Sequence, residues 1–508
     1  MKNKLVCTAT LTLACALAPA VNATDYTWTG AVSSSMNDPA NYKVNSSGMA
    51  ATALPTQGDV THFSIPVGDV ANLPVNNVHQ ARLGELVFKT SGYVVEGSEI
   101  HAYRIRVEPN LTLTYRAPIG WNQSDAHRIY VNEGAKFIFD STFGTRGGGA
   151  SSDLYAELGT GAEFVYARGG GPTRFDWSSS SGFTISLDSP NRLDMYLLLS
   201  GNGNIAPRIR TSGGPGALGS SNKVAWECTN LRIGGPGSGD ISQTSVLEPN
   251  WGSGKSLYVE DIVYRLSSIW TDERRSSGSG DFYKRGNGVF TITHSSGLSQ
   301  GGQNNDRSMN GLNFRLMDGT TCINSNFWNY SYTQNNLEGL NVAAAARIEG
   351  VGRFITRAPN DTEKNKSAVI YGTIAPGCSH VDESSAFGTL AYVGTNFTFK
   401  SGSTLEIKAS RAAHDTLAVD AQPIVIEAGA ALAVSHFGRL SAVEPFVILD
   451  NRGDAAIVGA FDGLPEGALF DAASDAGATK RYRISYVGGD GNDIAMIPVP
   501  ESMLIIIN

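Results

Sequence analysis

Apolar and polar residues alternate singly along short stretches of this chain, and each stretch ends in a polar, glycine-bearing turn. Arg128-Ile129-Tyr130-Val131 is followed by Asn132-Glu133-Gly134-Ala135 and then by Lys136-Phe137-Ile138-Phe139. The same order recurs in Ala162-Glu163-Phe164-Val165-Tyr166 and in Ser403-Thr404-Leu405-Glu406-Ile407. It returns in Ile424-Val425-Ile426, Glu427-Ala428-Gly429 and Leu432-Ala433-Val434. A period of two turns one face of a strand inward and the other outward. Glycine in the intervening turns accepts backbone angles that other residues resist. No helical segment is convincing enough to interrupt this pattern.

Two architectures use it: a sandwich of antiparallel hairpins, and a parallel β-helix in which each coil stacks on the one before. Hairpins favour two-residue Asn-Gly or Asp-Gly turns, whereas the turns here are mostly longer, of the form N-x-G-x or E-x-G-x. The pattern therefore predicts an all-β fold, a right-handed parallel β-helix (solenoid) with irregular loop insertions, each coil burying its face against its neighbours. The repeats are too degenerate to fix a period. The stretch from about Ser178 to Arg315 is less regular. Gly213-Gly214-Pro215-Gly216, Gly234-Gly235-Pro236-Gly237-Ser238-Gly239 and the charged run Asp272-Glu273-Arg274-Arg275 read as loops thrown out from coils. The alanine-rich run Val342–Ala346 reads as filler of a narrow coil interior rather than as one helical turn.

Composition fits this picture. Of 508 residues, 41% are hydrophobic and only 17% charged, against roughly 25% in typical soluble domains. Gly, Ser, Thr and Asn fill the difference, which suits strands and tight turns. The net charge of −8 argues against binding nucleic acid through its phosphates. The N-terminus reads as an export signal: Lys2 and Lys4, then the apolar run Leu5–Leu17, then small-residue cleavage sites at Ala18-Pro19-Ala20 and Val21-Asn22-Ala23. That run is too short for a membrane anchor, and Thr12 departs from a lipobox before Cys15. The expected division is residues 1–23 as signal peptide, 24–340 as solenoid with a loop-rich middle, 341–497 as a second solenoid segment and 498–508 as a tail. The mature chain keeps Cys228, Cys322 and Cys378, too few for a disulfide framework. They read as small buried side chains, with at most one pair bridged.

Several segments resemble the autotransporter-associated β-strand repeat proteins of bacteria. Trp28-Thr29-Gly30 with Asn37-Asp38-Pro39-Ala40-Asn41-Tyr42 is similar to the W-x-G…D-P-x-N-W opening, with Tyr42 in place of the final Trp, and Pro55-Thr56-Gln57-Gly58-Asp59-Val60 to the P-x-x-G-D segment after it. Lys284-Arg285-Gly286-Asn287-Gly288-Val289-Phe290-Thr291-Ile292 is similar to the repeat signature K-x-G-x-G-x-L-x-L, and Gly216–Gly219 with Leu231–Gly235 to its linking part. From Ile374-Ala375-Pro376-Gly377 to Gly488-Gly489-Asp490-Gly491-Asn492-Asp493 the order of motifs also matches. The resemblance implies an exported β-helix, secreted or held at the cell surface, with no defined activity. Pro498-Val499-Pro500-Glu501-Ser502 is similar to the sorting motif V-P-E-P that often closes such chains, but Met503–Ile507 is too short to span a membrane and no basic cluster follows.

Motifs with chemistry are sparse. Gly488–Asp493 fits one copy of the G-G-x-G-x-D calcium repeat, where one turn supplies too few oxygens for the ion; a hairpin turn is expected instead. Gly252-Ser253-Gly254-Lys255-Ser256 lacks the first Gly of a phosphate loop, with Pro249 in its place. The eight His residues form no metal-binding pair, and His414-Asp415, without a nucleophile partner, reads as a solvated turn. No metal site, cofactor site or catalytic centre is assigned. The chain is read as a non-catalytic extracellular or cell-surface scaffold of adhesin type, whose partners are surface polysaccharide or envelope components. The alternative is a carbohydrate-active β-helix, either binding polysaccharide or cleaving it as a lyase or glycosidase. A catalytic face would draw on Asp272, Glu273, Arg274, Arg275, Asp306 and Arg307; sugar binding would draw on Trp251, Trp270, Trp328, Tyr330 and Tyr332 among Asn residues.

Overall fold

A computed structural model describes residues 23–499, except for short internal segments, chiefly 142–152, 167–173, 202–207, 270–279, 294–311, 329–337, 357–365 and 379–386. The described chain is a parallel β-solenoid joined as one continuous set of ladders, with two short 3-10 turns and no α-helix. One ladder runs almost its whole length, from Val75–Asn76 to Val458–Gly459. Along it the coil length varies from 20 residues, where Val94 faces Thr114, to 33, where Val425 faces Val458. This variation is why no period is visible in the sequence. The division expected after residue 340 falls inside the strand Glu338–Gly350.

The inward positions stack in rows, as period-two alternation requires. Phe63, Phe88, Val107, Val131 and Leu158 are registered partners on successive coils and are all buried. A second row joins Leu231, Leu257, Lys284, Leu316, Val342, Ile370, Phe399 and Ile426. Lys284 thus occupies an interior aliphatic position. Its Nζ donates to the carbonyls of Gly286 (2.9 Å), Gly288 (2.9 Å) and Asp318 (2.8 Å), and burial pushes its pKa down to about 7. These three acceptors use all three protons of an ammonium, which is how an interior lysine avoids an unmet polar group. Gly286 makes the corner possible: its φ is +84°, and a Cβ there would lie 2.2 Å from the Val259 carbonyl oxygen. The K-x-G-x-G segment is therefore a corner clamp.

The ends are closed differently from the middle. Asp25–Trp28 pairs antiparallel with Tyr42–Val44 before the parallel stack begins. Trp28 is buried edge-on to Tyr42 at 5.2 Å and donates from Nε1 to Asn72 O. Asp38 caps the 3-10 turn Pro39–Asn41. Buried Asn41 receives the Val32 and Ser33 amides and donates to Ser33 Oγ and Ser35 O. Asp59 accepts from Thr24 N, Thr56 N and Thr56 Oγ1. Each polar residue of the W-x-G…D-P-x-N and P-x-x-G-D segments thus ties down the first coil. At the other end Leu469–Ser474, Thr479–Gly488 and Asp493–Pro498 turn antiparallel, and the last of these also pairs antiparallel with Phe446–Asn451.

One expectation needs correction. The run Val342–Ala346 lies in an extended strand and does not simply fill the interior: Val342 and Ala346 are buried, but Ala344 and Ala345 are exposed at a bend, where the pairing with Leu312–Ile323 shifts register. Short side chains suit that bend. Of the cysteines expected to be buried with at most one pair bridged, Cys322 and Cys378 are both: their disulfide spans 56 residues with Cα atoms 6.3 Å apart. A loop of that length corresponds to about 4 kcal/mol in the chain-entropy account. Cys228 lies outside the described residues. Trp28→Ala should destabilise the first coils by about 3–5 kcal/mol. Hydrogen exchange should locate the loss of protection between residues 25 and 97 and leave the coils beyond residue 312 unchanged.

Candidate functional site

A dense constellation of outward polar side chains lies on the long ladder, over the strands Asn230–Gly234, Lys255–Glu260, Gly280–Arg285 and Leu312–Ile323. Alternation places it there. In Gly280–Arg285, Phe282 and Lys284 turn in, so Asp281, Tyr283 and Arg285 turn out. Stacking then builds two rows. Arg232, Tyr258 and Arg285 are registered partners on three coils. Beside them run Asn230, Ser256, Tyr283, Arg315 and Asn341.

Within these rows arginine and tyrosine hold one another. The Arg232 guanidinium lies 4.3 Å from the Tyr258 ring centroid and pairs with Glu260. Arg285 lies 5.0 Å from the Tyr283 ring centroid. Such contacts fix the side chains by cation–π attraction. Asp281 Oδ1 accepts from Asn313 Nδ2 and from Arg315 Nε, both at 2.9 Å, and Oδ2 accepts from Tyr283 OH at 3.0 Å. Burial opposes ionisation of Asp281, but the Asn313 amide and the Arg315 guanidinium outweigh it and hold the carboxyl below its usual range. Burial, then the Asp281 carboxylate, raises the pKa of Tyr283. Behind the face, buried Lys366 is pushed down to about 8 by burial and by the charge of Arg315, against the pull of Asp281.

This arrangement suits binding better than acid–base catalysis. A glycosidase acid needs a raised pKa, whereas Asp281 is lowered and engaged by three donors. Three arginines meet two carboxylates, Asp281 and Glu260, on a chain whose overall charge is −8. Guanidinium groups grip carboxylate or sulfate oxygens in pairs, and tyrosine faces lie against sugar C–H surfaces. A smaller patch repeats the theme on the strands Ile100–Val107 and His127–Val131. Arg106 lies 4.6 Å from the Tyr130 ring centroid and 2.7 Å from Glu85, Arg104 lies 5.2 Å from that of Tyr103, and Arg104 is registered with Arg128.

The residues singled out in the sequence are placed only in part. Asp272, Glu273, Arg274, Arg275, Asp306, Arg307, Trp251, Trp270, Tyr330 and Tyr332 lie outside the described residues, as does the side chain of Trp328. Lys255 and Ser256 open a strand, whereas a phosphate loop opens a helix. Gly488–Asp493 is the tip of the antiparallel hairpin, with Gly488 opposite Asp493. The Arg–Tyr rows were missed because each strand shows only one or two of their members. Only the register aligns Arg232, Tyr258 and Arg285, and unequal coil lengths conceal it.

His414-Asp415 is not a solvated turn. His414 is half-buried against Phe446 at 4.7 Å, and burial lowers its pKa. Asp415 is fully buried, accepting from Lys408 N (2.9 Å) and Gly388 N (3.0 Å), with Lys408 Nζ at 3.6 Å. Burial pushes its carboxyl up to about 6, against Lys408 and the two amides. A folded pKa above the unfolded value makes the folded state bind the proton more tightly. That contribution is complete below the unfolded value of 3.8 and is lost as pH rises through about 6. The chemical unfolding midpoint should therefore gain from this group between pH 7 and pH 4, and Asp415→Asn should flatten the dependence in that window. Equal slopes in the two proteins would show that this carboxyl does not titrate there.

Among the described residues no helix is long and apolar enough to cross a membrane. Compared with known families, curated proteins and solved structures, the chain matches none.

Proposed function

We propose that this chain is a non-catalytic extracellular or cell-surface scaffold of adhesin type, which presents its outer Arg–Tyr rows to polysaccharide bearing acidic groups. The observation that carries the reading is the alignment of Arg232, Tyr258 and Arg285 on three successive coils, beside Tyr283 and Arg315. A stacked array holds such groups at the repeat of its own strands, about 4.8 Å apart, so one extended ligand can meet several in line. Rigid strands fix the side chains before binding, which lowers the cost of ordering them. The export signal read in residues 1–23 supports an extracellular setting. The resemblance to secreted repeat proteins supports a structural role.

Purified protein applied to immobilised uronate, sulfated and neutral polysaccharides should be retained by the acidic supports and released by salt, because exposed charge contacts are screened. The paired change Arg285→Ala and Arg232→Ala should weaken retention about a hundredfold or more, at about 1.5–3 kcal/mol for the charged hydrogen bond lost at each arginine. The same samples should release no reducing or unsaturated sugar ends. Release of such ends would make the chain an enzyme and overturn the scaffold reading. Retention unchanged by the two substitutions would remove the Arg–Tyr rows as the binding face.

A further inference from the structure

The neighbourhood of the disulfide has a second chemistry. Cys322 and Glu349 are registered partners on adjacent coils. In the next coil Gly350 and Gly377 exchange two backbone hydrogen bonds of 2.8 Å, which bring Cys378 back over the same corner. One ligand atom from each of Cys322, Glu349 and Cys378 lies within 4.8 Å of the others, and all three residues are buried. Asn324 Oδ1 lies 3.3 Å from Cys322 Sγ. Charge around this corner is weighted towards anions: Glu349 and Glu406 both pair with the single guanidinium of Arg347, Glu349 at 3.1 Å and Glu406 at 2.5 Å.

We infer that the reduced form of Cys322 and Cys378, together with the Glu349 carboxylate, is a binding site for one thiophilic divalent cation of the zinc class. Two sulfurs and a carboxylate oxygen are a ligand set that such ions accept, with a tetrahedral fourth place open to the Asn324 oxygen or water. The ligands come from three successive coils, so the ion takes over the cross-coil tie that the disulfide supplies. The chemistry balances. An external dithiol closes to its own disulfide, or a phosphine takes up the oxygen of one water to become its oxide; either supplies two electrons and two protons, and the S–S bond breaks to leave two thiols. Cation binding then deprotonates both thiols and releases two protons. The disulfide and the metal site are therefore exclusive states of one corner, selected by the reducing strength of the surroundings. This inference is independent of the polysaccharide reading.

The test uses the full chain with Cys7, Cys15 and Cys228 changed to Ser, reduced with a phosphine, freed of reductant and titrated with Co²⁺ under argon. One equivalent should bind with thiolate-to-cobalt charge-transfer absorption, and Zn²⁺ should displace it. The oxidised protein should show no such band, Cys322→Ser should abolish it, and Glu349→Gln should weaken binding at least tenfold. Hydrogen exchange across residues 338–378 should rise on reduction and fall again with Zn²⁺. Absence of the band in the reduced protein, or equal affinity in Glu349→Gln, overturns the site. A chain merely unfolded by reduction would bind cobalt without regard to residue 349, and so also counts against it.

Discussion

Everything in this molecule depends on parallel register between successive coils. A single coil cannot bury its own inward face, nor satisfy the amides and carbonyls of its strands. Each does so only by lying in step on the next, and one position of slip would turn every inward side chain outward. The row from Leu231 to Ile426 shows how strictly that step is kept. It passes through Lys284, a residue that ought not to be inside, yet the coil does not shift to expel it. Three carbonyls turn to the ammonium instead, two from the lysine's own corner and one from the coil above. Backbone geometry yields to register, and local chemistry is fitted afterwards.

The same constraint produces the outer face. Residues that share no proximity in the sequence become neighbours because register makes them so. Arg232, Tyr258 and Arg285 are spread over fifty-odd positions of chain, and Cys322, Glu349 and Cys378 over a similar span. In both places the proposed unit is a column across coils, not a motif along the chain. This distinguishes a solenoid from folds whose sites gather on a few loops.

What could be read from the sequence follows from this. Strand identity was legible in segments such as Lys136–Phe139, where alternation is local, and stacking was legible because the same grammar persisted. The cap at Trp28–Tyr42 was visible as a motif, though not its physical purpose, since Asn41 works by folding back on Ser33 and Ser35 rather than by facing solvent. Columns were not legible. Coils of 20 to 33 residues give no fixed offset at which to align Arg232 with Tyr258. Asp415 was misread for a related reason. A polar dipeptide between strands looks solvated unless one knows that amides from residues 388 and 408 close over its carboxylate.

The antiparallel ends bear on assembly. A stack of parallel strands offers its terminal coil as a template, and one more copy could in principle continue the pattern without limit. Here the first strand is doubled back upon by Tyr42–Val44, and the last coil is folded over by the hairpin that ends at Pro498. Among the described residues the pattern is interrupted at these two places by chain running the wrong way for further addition. The described stack is therefore covered along these edges, more like a cut rule than a growing thread.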